Sequence, residues 1–144
     1  MQILRLQSLD LKDAEQIAAL SIQLGYENEI NALFNRTQQI IKAIDNCVFV
    51  AKADDRIVGW IHGFIALRVE TPLFVEIAGL VVAQDFRKQH LGKELIEAVK
   101  EWSNSVGVYK VRVRCNVTRT ESHKFYKNIG FSQNKQQMVF EMDI

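Results

Sequence analysis

The sequence predicts an α/β (α+β) fold, a mixed, mostly antiparallel twisted sheet of about six to seven strands flanked by about four helices. Three observations predict it. Short β-branched runs bounded by turn residues alternate with stretches whose apolar residues recur every three or four positions. Their order reads β-α-α-β-β-β-α-β-α-β, the pattern of helices layered on one sheet. The 144 residues, 48% hydrophobic and 24% charged, suffice for one core, so residues 1–144 are expected to form a single domain.

Gln2 to Leu6 alternates like a strand. Asp10 is a helix cap for the apolar positions Leu11, Ala14, Ile17, Ala18 and Leu24, with Gly25 as the stop. Ile30, Leu33, Phe34, Ile40, Ile41 and Ile44 mark a second helix, and the acids Glu27 and Glu29 before it suit the helix dipole. Cys47–Ala53 and Arg56–Val69 read as a hairpin turning at Asp54-Asp55, with Gly59 and Gly63 signalling a bulge or a close backbone approach. Thr71-Pro72 makes the next turn.

The central stretch runs from Val75 to Val106. Ile77 to Val82 is a buried strand, Asp85 to His90 breaks the pattern, and Leu91, Leu95, Ile96, Val99, Trp102 and Val106 fall on one helical face. A strand that delivers a basic loop onto a helix N-terminus forms an anion site, because first-turn N–H groups lack intrahelical acceptors. Arg87, Lys88 and Lys93 add charge there, and the expected ligand is a pyrophosphate.

Gly107 ends that helix. Tyr109–Asn116 alternates Val111, Val113 and Cys115 with Lys110, Arg112 and Arg114, as a half-exposed strand does. Thr118-x-x-Glu121 reads as a capping box for a helix carrying Phe125, Tyr126 and Ile129, closed by Gly130-Phe131. Gln137–Ile144 reads as a last strand.

The charge balance, 18 basic against 17 acidic residues, argues for no nucleic-acid or membrane partner, so anion binding must be local. Cys47 and Cys115 have neither metal-ligand nor disulfide spacing and read as small buried hydrophobes. No metal is expected. No apolar run approaches a membrane span, and the start resembles no signal peptide, so a cytoplasmic protein is expected.

Two segments together resemble the GNAT (Gcn5-related N-acetyltransferase) superfamily. Leu80-Val81-Val82 through Arg87-Lys88-Gln89-His90-Leu91-Gly92 is similar to its acetyl-CoA motif, R/Q-x-x-G-x-G/A, after a central strand. Asn116 through Tyr126 to Gly130-Phe131 is similar to the later motif, in which an Asn ends a strand and a helix carries a Tyr before Gly-Phe. The match spans almost the whole chain, with one departure: His90 stands where the family has its first glycine.

The resemblance implies a GNAT-like fold and an acetyl-CoA-dependent N-acetyltransferase of a primary amine, that of a small molecule ahead of a protein N-terminus or lysine. The N-V-x-R-x-x-S-H-x-F-Y run is similar to a branch with aminoglycoside-modifying members. A non-catalytic acyl-CoA-binding module is the competing reading, and a homodimer is among the expected assemblies. The implied cofactor-binding residues are Leu80, Val81, Val82, Arg87, Lys88, Gln89, His90, Leu91, Gly92, Lys93, Asn116 and Tyr126. The backbone of Leu80–Val82 would pair with the pantetheine arm, and an N–H near Leu80 would polarise the thioester carbonyl.

Tyr126 is the implied general acid, since a phenol with a pKa near 10 stays protonated at neutral pH. Its other reading is a core aromatic beside Phe125. Glu76 is the candidate general base, a lone carboxylate in an apolar strand placed by period two on the face of Ala78, Leu80 and Val82. It reads equally as an ion-pair partner for Arg68, Arg112 or Arg114. Glu70 and His62 are the fallback bases, and His62 reads better as a satisfied core histidine.

Overall fold

The structure, a computed structural model, describes residues 1–144. Two compact units divide it, Met1–Val113 and Arg114–Ile144. In the first unit five strands form one sheet in the order β1-β2-β3-β4-β5: β1 Gln2–Arg5, β2 Asn46–Ala53, β3 Arg56–Ala66, β4 Phe74–Val82 and β5 Val111–Val113. The first four pair antiparallel in sequence order and β5 joins β4 in parallel, so the sheet is mixed. Five strands replace the expected six to seven.

The helices are α1 Leu11–Ser21, α2 Ile30–Lys42 and α3 Leu91–Ser105, with single 3₁₀ turns at Ile22–Leu24 and Gln84–Phe86. Asp10 caps α1 through a reciprocal box: the Asp13 N–H donates to Asp10 Oδ1 at 2.8 Å and the Asp10 N–H donates to Asp13 Oδ2 at 3.1 Å. Glu29 caps α2 by accepting from the N–H groups of Asn31 and Ala32, which holds its carboxyl below the ordinary carboxylate range. Gly107, at φ +79°, closes α3: the Val108 N–H donates to the Ser103 carbonyl at 2.9 Å and the Gly107 N–H to the Asn104 carbonyl at 3.1 Å. Val106 is the C-cap and is exposed, so the apolar face of α3 ends at Trp102.

Consecutive buried residues in β2 (Cys47-Val48, Val50-Ala51) and β3 (Ile57-Val58) show that both sheet faces are covered there. α3 takes one. A side chain built on Gly59 would meet Leu95 at 3.3 Å, and one on Gly63 would meet Val99 at 3.1 Å. The packed pair α1 and α2 takes the other face.

Both expected irregularities are present. Ala51 pairs with Gly59 but Lys52 with Ile57, and His62 pairs with Gly79 but Gly63 with Ile77. The second shift leaves Ala78 as an extra residue in β4, a bulge. It corrects the placement of Glu76. Glu76 pairs with Phe64, whereas Leu80 pairs with Ile61, which points to the opposite face. Glu76 therefore shares a face with Phe64, His62 and Trp60, and Leu80 and Val82 share theirs with α3.

Three expected strands shrink or vanish. The return strand ends at Ala66, leaving Leu67 and Val69 exposed; Tyr109–Asn116 keeps only Val111–Val113; and Gln137–Ile144 forms no strand. In each case the alternation is real but no neighbouring strand pairs with the extra residues. No helix is long and apolar enough to cross a membrane.

The second unit carries α4, Thr120–Asn128. Its N-cap is Arg119, not Thr118, and the capping box does not form. Instead the Thr118 N–H and Oγ1 donate to Asn116 Oδ1 at 3.0 and 2.9 Å, a turn held by the asparagine. The C-terminus closes as expected: Gly130 lies at φ +107°, and the Phe131 N–H donates to the Tyr126 carbonyl at 3.0 Å.

The Trp60 ring lies so close over Gly79 that a β-carbon there would stand 2.6 Å from Cη2. Gly79→Ala must displace a stiff indole, and it is expected to cost about 1–3 kcal/mol. Urea unfolding reads this as a lower midpoint at unchanged slope; wild-type stability would show that the indole is not locked against the bulge.

Candidate active site

The bulge decides where β4 offers its backbone. The Ala83 N–H donates to the Val58 carbonyl at 2.7 Å, which makes Gly59–Val82 a non-hydrogen-bonded pair. By antiparallel alternation Trp60–Val81 is then hydrogen-bonded, and the main-chain groups of Leu80 and Val82 point away from β3. On that side β5 pairs only with Val75–Ile77. Leu80 and Val82 thus present donors and acceptors along an edge with no strand partner. Val81 is buried and completes the β3 ladder instead.

The chain then runs into a loop with two left-handed residues, Lys88 at φ +68° and His90 at φ +62°. His90 is the N-cap of α3 and makes no side-chain capping bond. The first helical bond runs from the Glu94 N–H to the His90 carbonyl at 3.0 Å, so the N–H groups of Leu91, Gly92 and Lys93 are the orphan donors of the first turn. Leu91 is buried and anchors the turn; Lys88, Gln89, His90 and Lys93 are exposed around it. The left-handed φ at His90 explains why a glycine suits this position. His90 adopts the required conformation and keeps its N–H.

The loop is pinned by residues that no sequence signal marked. Arg56 reaches Asp85 at 3.1 Å, and its guanidinium lies 5.6 Å from the Phe86 ring centroid. Arg87 Nη2 donates to Gln23 Oε1 at 2.9 Å, tying the loop to the end of α1. Trp60 is the third omission: its indole N–H is buried with no protein acceptor beside the bulge. These contacts span 29 and 64 residues of sequence, so no local pattern reports them.

An open groove beside α3, lined by Arg5, Phe49, His90, Lys93 and Trp102, touches the loop. Glu94, Glu97 and Glu101 line it too, and three carboxylates disfavour a phosphate there. Of the two, the helix end suits a phosphate and the groove does not.

The Glu76 carboxylate lies 3.9 Å from Arg68 Nη2, and Arg112 is its partner residue in β5. Arg68 and Arg112 both stand over the Phe74 ring, at 5.1 and 4.2 Å. This is the ion-pair setting that competed with the base assignment. His62 Nε2 lies 2.7 Å from Asn46 Oδ1, and burial lowers its pKa, as for a satisfied core histidine. Glu70 is exposed on the β3–β4 loop.

In the second unit Tyr126 is half-buried, with Phe125 and Phe131 edge-on at 5.2 and 5.6 Å. Burial and the nearby Cys115 push its phenol up to about 12, against a small lowering by Arg119. Asn116 is exposed; its Oδ1 is committed to Thr118 and its carbonyl accepts from the Arg119 N–H at 3.0 Å. Its amide N–H groups are the part it can offer a ligand.

A model of the acetyltransferase (GNAT) family matches residues 12–131. The chain belongs to the GNAT acetyltransferase family. It is an acetyl-CoA-dependent N-acetyltransferase, and the unpaired edge of β4 and the donors of α3 suit a pantetheine arm and a pyrophosphate. Among curated relatives, it is 24% identical over 108 residues to aminoglycoside N(6')-acetyltransferase type 1 of Salmonella typhimurium, covering 72% of this chain and 74% of that one. It is 37% identical over 62 residues to glucosamine 6-phosphate N-acetyltransferase of Arabidopsis thaliana, covering 43% and 40%.

Solved structures share the fold. The aminoglycoside acetyltransferase AAC(6')-Iy, in complex with a CoA-S-monomethyl-acetylneamine bisubstrate analogue, superposes with a TM-score of 0.83 at 21% identity, covering 99% of this chain and 98% of that one. The Arabidopsis thaliana glucosamine-6-phosphate enzyme gives 0.82 at 24%, covering 99% and 98%.

Two predictions follow from this GNAT geometry. His90→Gly removes a left-handed β-carbon worth about 1 kcal/mol, so the thermal midpoint should rise and acetyl-CoA affinity should hold. His90→Val, β-branched, should lower both; a wild-type midpoint for His90→Val would refute the assigned backbone. Separately, burial pushes the Cys47 thiol up to about 11, partly offset by the Gly63 backbone and Arg5, whereas Cys115 is only half-buried. A thiol reagent at about pH 8 should label one cysteine quickly and the other only on unfolding. Equal rates would contradict this burial.

Proposed function

We propose that this enzyme acetylates the primary amine of a small molecule, by direct attack of the amine on the thioester. The observation that carries the reading is the edge at Leu80 and Val82, whose outward backbone groups lead straight into the orphan N–H groups of α3. Acetyl-CoA supplies the activated acyl carbon and a thiolate leaving group. The Leu80 and Val82 backbone holds the pantetheine amides as a strand would, with Val81 locking the segment to β3. The Leu80 N–H, facing outward, donates to the acyl oxygen as negative charge develops there.

The N–H groups from Gln89 to Lys93 receive the pyrophosphate, and Arg87, Lys88 and Lys93 supply charge. Leu91 fixes the first turn and Gly92 keeps its surface bare. Asn116 contributes its amide N–H groups to the same ligand.

Tyr126 supplies the proton at Oη. A phenol pushed up to about 12 is a weaker acid than an alkyl thiol of about 8.5, so full proton donation runs uphill. It is better suited to relay: Oη donates toward the thiolate as the C–S bond breaks, while regaining the proton that the nitrogen loses once its C–N bond to the acyl carbon has formed. Glu76, held at 3.9 Å from Arg68, takes up through solvent the proton that the ammonium loses before it attacks as a neutral amine. The left-handed backbone retained at His90 keeps the orphan donors despite the loss of glycine, so His90 gives no ground for preferring a merely acyl-CoA-binding role.

Both named relatives act on amino sugars by their names, and an amino sugar is the acceptor class we assign, ahead of a protein N-terminus or lysine. We assign the reaction to the cytoplasm and the activity to a homodimer.

Thiol release from acetyl-CoA across a panel of amino sugars, polyamines and peptides tests the class; stabilisation by acetyl-CoA with no release from any amine would leave only a binding module. Tyr126→Phe should lower kcat by about 10²-fold with KM for acetyl-CoA unchanged. Because the phenol keeps its proton until about 12, wild-type rates should rise as the amine deprotonates and stay level through about pH 10. A fall in rate with a midpoint near 8 or 9 would exclude Tyr126 as the proton donor.

A further inference from the structure

The sheet face that carries Glu76 holds more hydrogen-bond donors than the protein satisfies. Arg68, just past the end of β3, and Arg112, the partner of Glu76 in β5, both stand over the buried Phe74 ring, at 5.1 and 4.2 Å from its centroid. Arg112 makes no hydrogen bond and no ion pair. Arg68 makes no hydrogen bond either, and its 3.9 Å approach to the Glu76 carboxylate is longer than one. Glu70, in the same loop as Arg68, pairs with neither arginine. A guanidinium carries five N–H donors, so the pair offers many that no protein acceptor takes. Farther along the same face the Trp60 indole N–H is buried without an acceptor as well.

The two arginines differ from solvated surface cations in how they are held. A guanidinium stacked on a buried ring is already ordered, and it loses less freedom when it binds. The Arg68 side chain is 30% exposed and Arg112 is half-buried, so each is partly stripped of water yet reachable. On this face α1 packs on β3 and β4 and α2 on β2, and neither packs on β5, so in the first unit this end stays open. Glu76–Arg112 is the pair next to the last before β4 and β5 part. Leu80, whose N–H we set on the acyl oxygen, lies four residues beyond Glu76, on the order of 10 Å along the strand. Two guanidinia against one carboxylate leave a net positive charge beside the acyl site.

Resting on the acetyltransferase reading above, we infer that the acceptor amine belongs to a zwitterion whose oxyanion, a phosphate or a carboxylate, is held by Arg68 and Arg112. The guanidinium forks take the oxyanion in charge-assisted N–H···O bonds. Glu76 faces the ammonium before it loses its proton, and the distance from the arginines to Leu80 keeps the two charges of the acceptor apart. An amino hexose with a phosphate or carboxylate at its sixth carbon bridges such a span. An α-amino acid, whose two charges share one carbon, does not. A polyamine brings further positive charge to two guanidinia and is repelled.

Calorimetry on the full chain with CoA present ranks four ligands: glucosamine 6-phosphate, 2-amino-2-deoxyglucuronate, glucosamine and neamine. The first two carry phosphate or carboxylate on the same carbon, so their order identifies the anion. At least one should bind roughly 10-fold tighter than glucosamine, the effect of one charge-assisted contact. Arg112→Gln and Arg68→Gln should each remove most of that margin and leave the affinity for glucosamine where it was. Two anionic sugars no tighter than glucosamine, or neamine tighter than both, would overturn the inference on the wild type alone. So would variants that keep the margin, or that weaken all four ligands alike, as a purely structural role requires. Thiol release from acetyl-CoA is read separately. The expected ranking with no release from any ligand would leave the arginine pair as an oxyanion site and refute the acetyl transfer instead.

Discussion

The site depends on one close contact, the Trp60 indole lying against the bare α-carbon of Gly79. With no room for a β-carbon, β4 passes beneath the ring, and the extra residue Ala78 shifts its phase by one. That shift has two consequences. It turns Leu80 and Val82 so that their main-chain groups face the edge that β5 abandons after Val113. It also separates Glu76 from them onto the opposite face, among aromatic and arginine side chains.

Downstream of the bulge the backbone continues as a supply of donors. The 3₁₀ turn at Gln84–Phe86 and the left-handed residues Lys88 and His90 redirect the chain so that α3 starts with three unsatisfied N–H groups. Arg56, Asp85, Phe86, Arg87 and Gln23 brace this loop from two sides. A loop braced in advance spares a ligand the entropy of ordering it, and the protein's net charge of only +1 gives an anion little general attraction.

How much of this the sequence shows depends on the range of the determining contacts. The helices were legible because caps and periodicity are local: Asp10, Gly25, Gly107 and Gly130 all punctuate as read. The basic break between β4 and α3 was legible as a motif, and of the acids before α2 Glu29 caps as read. Strand lengths were not, because alternation in Tyr109–Asn116 and Gln137–Ile144 records a capacity to pair, while a strand exists only where a neighbour supplies the other half of the ladder. Period two also misplaced Glu76, since a bulge is set by packing across β3 and leaves no mark in β4 beyond a glycine. Thr118 failed as a cap because Asn116, two residues earlier, takes its N–H and hydroxyl first.

The departure at His90 separates what a glycine supplies to the backbone from what it leaves out as a side chain. Glycine at a helix-capping turn serves two purposes, a left-handed backbone and the absence of a side chain near the anion. His90 retains the first, at φ +62°, and sends its side chain to solvent. The donors belong to the backbone, so their direction is fixed by φ and ψ whatever the side chain. A residue that tolerates the left-handed region at a cost of about 1 kcal/mol therefore preserves the first-turn donors, and the loss of the glycine costs local strain rather than their geometry.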